Sequence, residues 1–304
     1  MTTALEDRRN AAVKRVLHGA VDMHCHSGPS PMPRRVTHVE AARQAAEAGF
    51  RAMVAKCHYH STVFDILSMQ DQLAGVPIEL FGGVALNSQV GGLNPHAADL
   101  AFKMGGRIVW FPTISSTAHL RHASRDEAIR AHFVPRGVME SEEVDIFGPD
   151  GDLVPQVEQI LRIAKEADGV VSSGHMAPDR VIAMLEQAKA LGLTKLVVSH
   201  PNYIIEADKD GDAQRFVELG ATIEHCLGLY VDGKHFDFAE LKAWIDAIGP
   251  DHTSLVSDLG QVGNPLPVDA FFTICEQLLD SGVSEADVRT MVVDNPSRLL
   301  GLDA

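Results

Sequence analysis

Two histidines stand one residue apart in "AVDMHCHSGPSP", where His24 and His26 bracket Cys25 directly after a short apolar run. If that run is a strand, alternate side chains share a face, so both imidazoles point one way and Cys25 the other. Two imidazoles at a strand end can grip one metal ion. Further along, apolar runs stop in the same manner on His175 in "GVVSSGH", His200 in "TKLVVSH" and Asp258 in "TSLVSD". One histidine at a strand end is ordinary; four, with an aspartate, form a pattern. Histidine and carboxylate together suit a divalent cation such as zinc.

The elements that must position these residues recur along the chain. Eight β-rich runs are legible, at 20–24, 51–57, 78–86, 107–113, 169–175, 194–200, 221–226 and 253–258. Helical patterns lie between them. "THVEAARQAAEAG" carries Thr37 as N-cap, Glu40 three residues on and Gly49 as a stop. "NPHAADLAFKMGG" has Asn94 as cap and Pro95 at the first helical position. Eight β/α units predict an α/β fold, a (β/α)8 TIM barrel, with its site at the C-terminal strand ends. A doubly wound open sheet is the structural alternative, but no Gly-rich phosphate loop follows the first strand. One connection is long: residues 114–154 follow the fourth strand, with a hairpin expected at "GPDGD", and read as a lid inserted into a single domain spanning 1–304.

Composition narrows the function. Of 304 residues, 45% are hydrophobic, enough for one large core. The net charge of −15 argues against a nucleic-acid partner. The four cysteines, Cys25, Cys57, Cys226 and Cys275, show no paired spacing. This fits a reducing, cytoplasmic setting, with no export signal in the polar N-terminal stretch and no apolar run of membrane-spanning length. A small-molecule substrate and a homo-oligomer are the expected partners.

From "DMHCH" through "SGH", "SHP" and "SDLG" to "DNPSRLLGL", nearly the whole chain resembles the amidohydrolase superfamily of metal-dependent TIM-barrel hydrolases. The resemblance implies that His24 and His26 bind a first metal. It makes His175 and His200 further ligands, or His200 a substrate contact in a one-metal member. It makes Asp258 both a ligand and the base for the attacking water. Members with two metals usually bridge them by a carbamylated lysine or a glutamate at the end of the fourth strand. Here "RIVWFPT" offers neither, whereas the second strand ends "AKCHYHS". Lys56 could be carbamylated and bridge two ions; Cys57 could be a thiolate ligand; only one of the two adjacent residues points inward. Lys56 is taken as the bridge. The cofactor is then one or two divalent ions, zinc first, with Mn, Fe, Co or Ni as alternatives.

Substrate contacts are expected from His58 and His60 after the second strand, Arg34 after the first, and Tyr203, with Trp110 and Phe111 along an apolar wall. Arginines opening onto the site, Arg34 and Arg35 or Arg121 and Arg125, suit a substrate carboxylate. Glu224 and His225 at the seventh strand are second-rank candidates. The expected reaction is hydrolysis of an amide, cyclic amide, ester or lactone by metal-bound hydroxide. The alternative is metal-dependent non-oxidative decarboxylation of a small carboxylic acid.

Overall fold

The computed structural model describes residues 2–125, 134–135, 137–233 and 235–302. Nine parallel strand segments make up the sheet: β1 (Val21–Cys25), β2 (Ala52–Ala55), β3 (Glu79–Phe81), β4 (Gly83–Ala85), β5 (Ile108–Trp110), β6 (Val170–Ser172), β7 (Leu196–Ser199), β8 (Ala221–Cys226) and β9 (Thr253–Val256). Neighbours pair in the order β1-β2-β3 and β4-β5-β6-β7-β8-β9. The β3 and β4 segments are two halves of the third expected strand, parted at Gly82. Thr62 fills the break: its hydroxyl donates to Ala55 O at 2.8 Å and accepts from the Gly83 N–H at 3.0 Å.

The ring closes between the first and last strands. Cys25 bridges Leu259 in parallel, the His26 N–H donates to Leu259 O at 2.8 Å and the Asp258 N–H to His24 O at 2.8 Å. Below them the Asp22 carboxylate takes over the ladder. Its Oδ1 accepts from the Ser257 N–H at 2.9 Å and from the His24 N–H at 3.1 Å. The molecule is thus an α/β barrel of eight strand positions, as the sequence predicts.

Strand residues are buried almost throughout, because helices cover the outside of the sheet. One apolar layer lies under the first and last helices, with Leu17, Phe271, Ile274 and Leu299 at its centre. Another lies under the middle helices, with Ile160, Leu185, Phe216 and Trp244. Each such side chain contributes roughly 1.5–3 kcal/mol by burial. Thr37 makes the full capping box with Glu40, and Asn94 caps its helix. A cap is worth about 1 kcal/mol, so packing holds the barrel and caps only fix where its helices begin.

Residues 114–154 begin on the site face with the Thr117–Ala123 helix. The expected hairpin is reduced to one bridge, Phe147 to Leu153. Residues 126–133 and 136 of this segment lie outside the described residues. Among the described residues no helix is long and apolar enough to cross a membrane.

Candidate metal centre

The strand period brings Asp22, His24 and His26 to the barrel interior, and β9 brings Asp258 beside them. His24 Nε2 lies 3.2 Å from His26 Nε2 and 3.2 Å from Asp258 Oδ1; His26 Nε2 lies 3.1 Å from the same oxygen. Ligands at 2.0–2.1 Å from a tetrahedral zinc are roughly 3.3 Å from one another. The three atoms therefore already stand at the spacing of one face of a metal tetrahedron.

Their protonation is set by their neighbours. His24 Nδ1 is 2.8 Å from Glu224 Oε1, which also accepts from the Ser199 hydroxyl at 2.8 Å. A carboxylate only accepts, so a neutral His24 carries its hydrogen on Nδ1 and offers the Nε2 lone pair. Burial pushes Glu224 up, but His24 and Lys56 outweigh it and hold the carboxylate below its usual range. Burial and Lys56 push His24 down; Asp258 and Glu224 overcome both and hold its imidazolium above the ordinary value. Burial drives His26 down to about 3. Asp258, despite burial, is held well below the usual carboxylate range by His24 and His26. The neutral His26 nitrogen and the anionic Asp258 oxygen face one another at 3.1 Å, an arrangement that a cation between them would satisfy. The donor set fits a divalent ion.

Lys56 is fully buried within this group. Its Nζ is 3.0 Å from His24 Nε2 and 5.1 Å from the centroid of the Trp110 ring. Burial above all lowers its pKa, against the pull of Asp258 and Glu224, which favours the neutral amine. Cys57 turns the other way and packs with Met32, Tyr59 and Ile114.

His175 and His200 complete the ring of imidazoles from β6 and β7. Their centroids are 4.7 Å apart, and that of His200 is 6.4 Å from that of His24. Burial pushes His175 well below its ordinary value and His200 to about 4. Neither sits inside its strand, and their positions depend on sharp turns. His200 and Asp258 are left-handed, at φ 30° and 51°. Such backbone is uncommon outside glycine and concentrates at functional sites. Gly174, at φ 59°, lets the chain turn before His175; a Cβ there would meet Phe111 O at 2.1 Å.

A cavity of about 120 Å³ opens above these groups, lined by His26, His58, His175, His200, Tyr203, Asp258 and Arg34 among others. That is below the ~300 Å³ of common ligand sites, so the space fits a small molecule. His60 lies apart: it pairs with Asp65 at 2.7 Å and does not line the cavity. His225 faces outward against Trp244. Trp110 lies beneath Lys56 rather than on the cavity wall.

One supporting residue escaped the sequence. Asp22 has the parity of His24 and His26, a signal that was legible in "VDMHCH". His119, at the head of the long insertion, reaches over to place its Nδ1 2.8 Å from His175 Nδ1.

Among solved structures, this fold recurs in an amidohydrolase from Pseudomonas aeruginosa, 11% identical over 96% of this chain and 98% of that one, TM-score 0.63. It recurs in the probable dipeptidase PvdM from the same organism, at 14% identity, 97% and 98% coverage and TM-score 0.62. The phosphotriesterase homology protein of Escherichia coli, solved with phosphate in its active site, matches at 15%, 93% and 98%, TM-score 0.55. What the chain shares with these structures is the α/β barrel fold. No curated protein matches the chain in sequence. The chain belongs to the family of unknown function DUF6282, whose model matches residues 19–224. That span holds every histidine of the site but ends before Asp258.

Proposed function

We propose that the protein is a metal-dependent hydrolase that cleaves an amide, cyclic amide, ester or lactone bond of a small molecule. The observation that carries this reading is the mutual 3.1–3.2 Å spacing of His24 Nε2, His26 Nε2 and Asp258 Oδ1. These residues would hold the first divalent ion, zinc in the first instance. His175 and His200 would hold a second, with Lys56 as a carbamate between them. When bound, the ion supplies a nucleophilic water at neutral pH and polarises the carbonyl under attack. The chain's own residues do the rest. Asp258, kept ionised by its neighbours, accepts the proton of that water and returns it to the leaving group. His24 is held in one tautomer by Glu224. His58 and Tyr203 line the cavity where substrate would lie. The 114–154 insertion acts on the site through the His119–His175 contact.

One observation favours the decarboxylase alternative. An unmodified Lys56, its Nζ 3.0 Å from His24 Nε2, would offer no bridge to a second ion and would leave one-metal chemistry. Elemental analysis of protein purified without added metal, paired with a panel of small amides, lactams, esters and lactones, tests both readings. Bound metal with turnover of a panel member is the expected result. A metal-free protein that still turns over substrate would sink the proposal. One ion per chain with CO2 released from a carboxylic acid would transfer it to the alternative.

A further inference from the structure

Arg34 is a half-buried cation whose inner guanidinium nitrogens have no counter-ion. It lies in the loop after β1, held by an antiparallel bridge to Gln261, and lines the same cavity as His26 and Asp258. Its Nε and Nη2 are buried and have no hydrogen-bond partner. Among the described residues no carboxylate forms an ion pair with it. The adjacent Arg35 shows what an idle arginine does on this loop: it is exposed and spends Nη1 on Asn264 O, at 2.6 Å. A guanidinium keeps its charge under all ordinary conditions. Leaving buried guanidinium nitrogens unpaired is costly, and such donors in folded proteins are usually paired. The cavity that Arg34 lines is where a partner for those two nitrogens can arrive.

We infer that Arg34 receives the carboxylate of the substrate, so that the bond cleaved at the metal belongs to a small, carboxylate-bearing molecule. This rests on the hydrolase reading for the bond and on Arg34 alone for the charge. A planar guanidinium fork meets a carboxylate through two parallel hydrogen bonds and discriminates strongly against the neutral amide, which offers one acceptor and no charge. The cavity of about 120 Å³ leaves room for only a short spacer between the carboxylate and the reacting centre. The protein's overall charge of −15 makes a local cation all the more necessary to admit an anion.

The test uses the metal-loaded full chain and a series of dicarboxylates from malonate to adipate, each against its monoamide, with affinity read by calorimetry. One carboxylate of either probe can engage the metal; only the diacid offers a second one to Arg34. We expect at least one diacid to bind ~30-fold or more tightly than its monoamide, the loss typical when one partner of a buried charge pair is removed. In Arg34→Met that preference should disappear, with metal content unchanged. Arg34→Lys, which keeps the charge and loses the fork, should retain a smaller part of it. Equal binding of diacid and monoamide across the series overturns the inference, as does a preference that survives Arg34→Met. The two readings separate cleanly. Hydrolysis of neutral esters without any diacid preference leaves the hydrolase and removes the anionic substrate. An Arg34-dependent preference in a protein that hydrolyses nothing does the reverse.

Discussion

On the β1–β8–β9 side of the barrel mouth, histidines meet carboxylates. His24 has Glu224 on one nitrogen and Asp258 on the other, and His26 shares Asp258. On the β6–β7 side, imidazoles meet one another. His175 faces His119 at 2.8 Å, and His200 Nδ1 has no hydrogen-bond partner. The difference is one of stored charge. The first side carries two carboxylates that would neutralise much of a divalent cation before any substrate arrived. The second offers neutral nitrogens alone, so an ion there must borrow negative charge from Asp258, from a carbamate on Lys56 or from substrate. The two sides should therefore differ in affinity and fail differently when altered.

The largest effect is expected at Asp258, which serves both sides. Asp258→Asn should lower kcat/KM about 10³-fold or more, and His24→Ala should abolish binding of the first ion. Elemental analysis with steady-state kinetics reads both; wild-type turnover by metal-free His24→Ala would erase the comparison. Next comes Lys56→Ala. It should lose the ion of the imidazole side and keep that of the carboxylate side, with partial rescue by a short carboxylic acid plus added metal. Unchanged metal content with only a raised KM would mark Lys56 as a substrate contact. Third, Glu224→Gln should weaken metal affinity by roughly 10–100-fold, the usual cost of an altered partner to a ligating histidine. His119→Ala, on the side without carboxylates, should cost less than that in the same titration. If the order is reversed, the carboxylates are not what sets the two sides apart.

The smallest effect lies outside the cavity. His60 is held up to about 9 by Cys57 and Asp65, against burial. Its unfolded value is near 6.5, so its raised pKa stabilises the fold fully below that pH and ceases to do so as pH rises through about 9. The pair is partly exposed, so the contribution stays under about 1 kcal/mol. Asp65→Asn should shift the His60 ring titration downward by NMR and narrow the stability difference between pH 6 and pH 10. An unmoved titration would assign the shift to Cys57 alone.

Much of this was legible in the sequence because parallel strands buried on both faces read as apolar runs, and those runs end at the site. The positions of His24, His26, His175, His200 and Asp258 followed from that alone. Their orientations did not. Asp258 and His200 reach the centre through left-handed residues beyond their strands, and backbone strain of this kind leaves no periodic trace. The split of the third strand depends on Thr62, whose side chain replaces ladder hydrogen bonds that no pattern could show missing. Glu224 and His225 were indistinguishable as neighbours at a strand end until β8 fixed which of them faced inward. The His119–His175 contact joins separate loops and has no local signature.

The seam between β1 and β9 also orders events in time. A chain leaves the ribosome N-terminus first, so His24 and His26 are present long before Asp258 exists. Until β9 docks, the pair has no third ligand from that strand, and Asp22 has no Ser257 amide to hold. Asp22 bonds both strands at once, so the contact that shuts the barrel is the one that completes the ion's cradle. On the metal-site reading, an incomplete chain would lack the third ligand and hold an ion less well than the closed barrel.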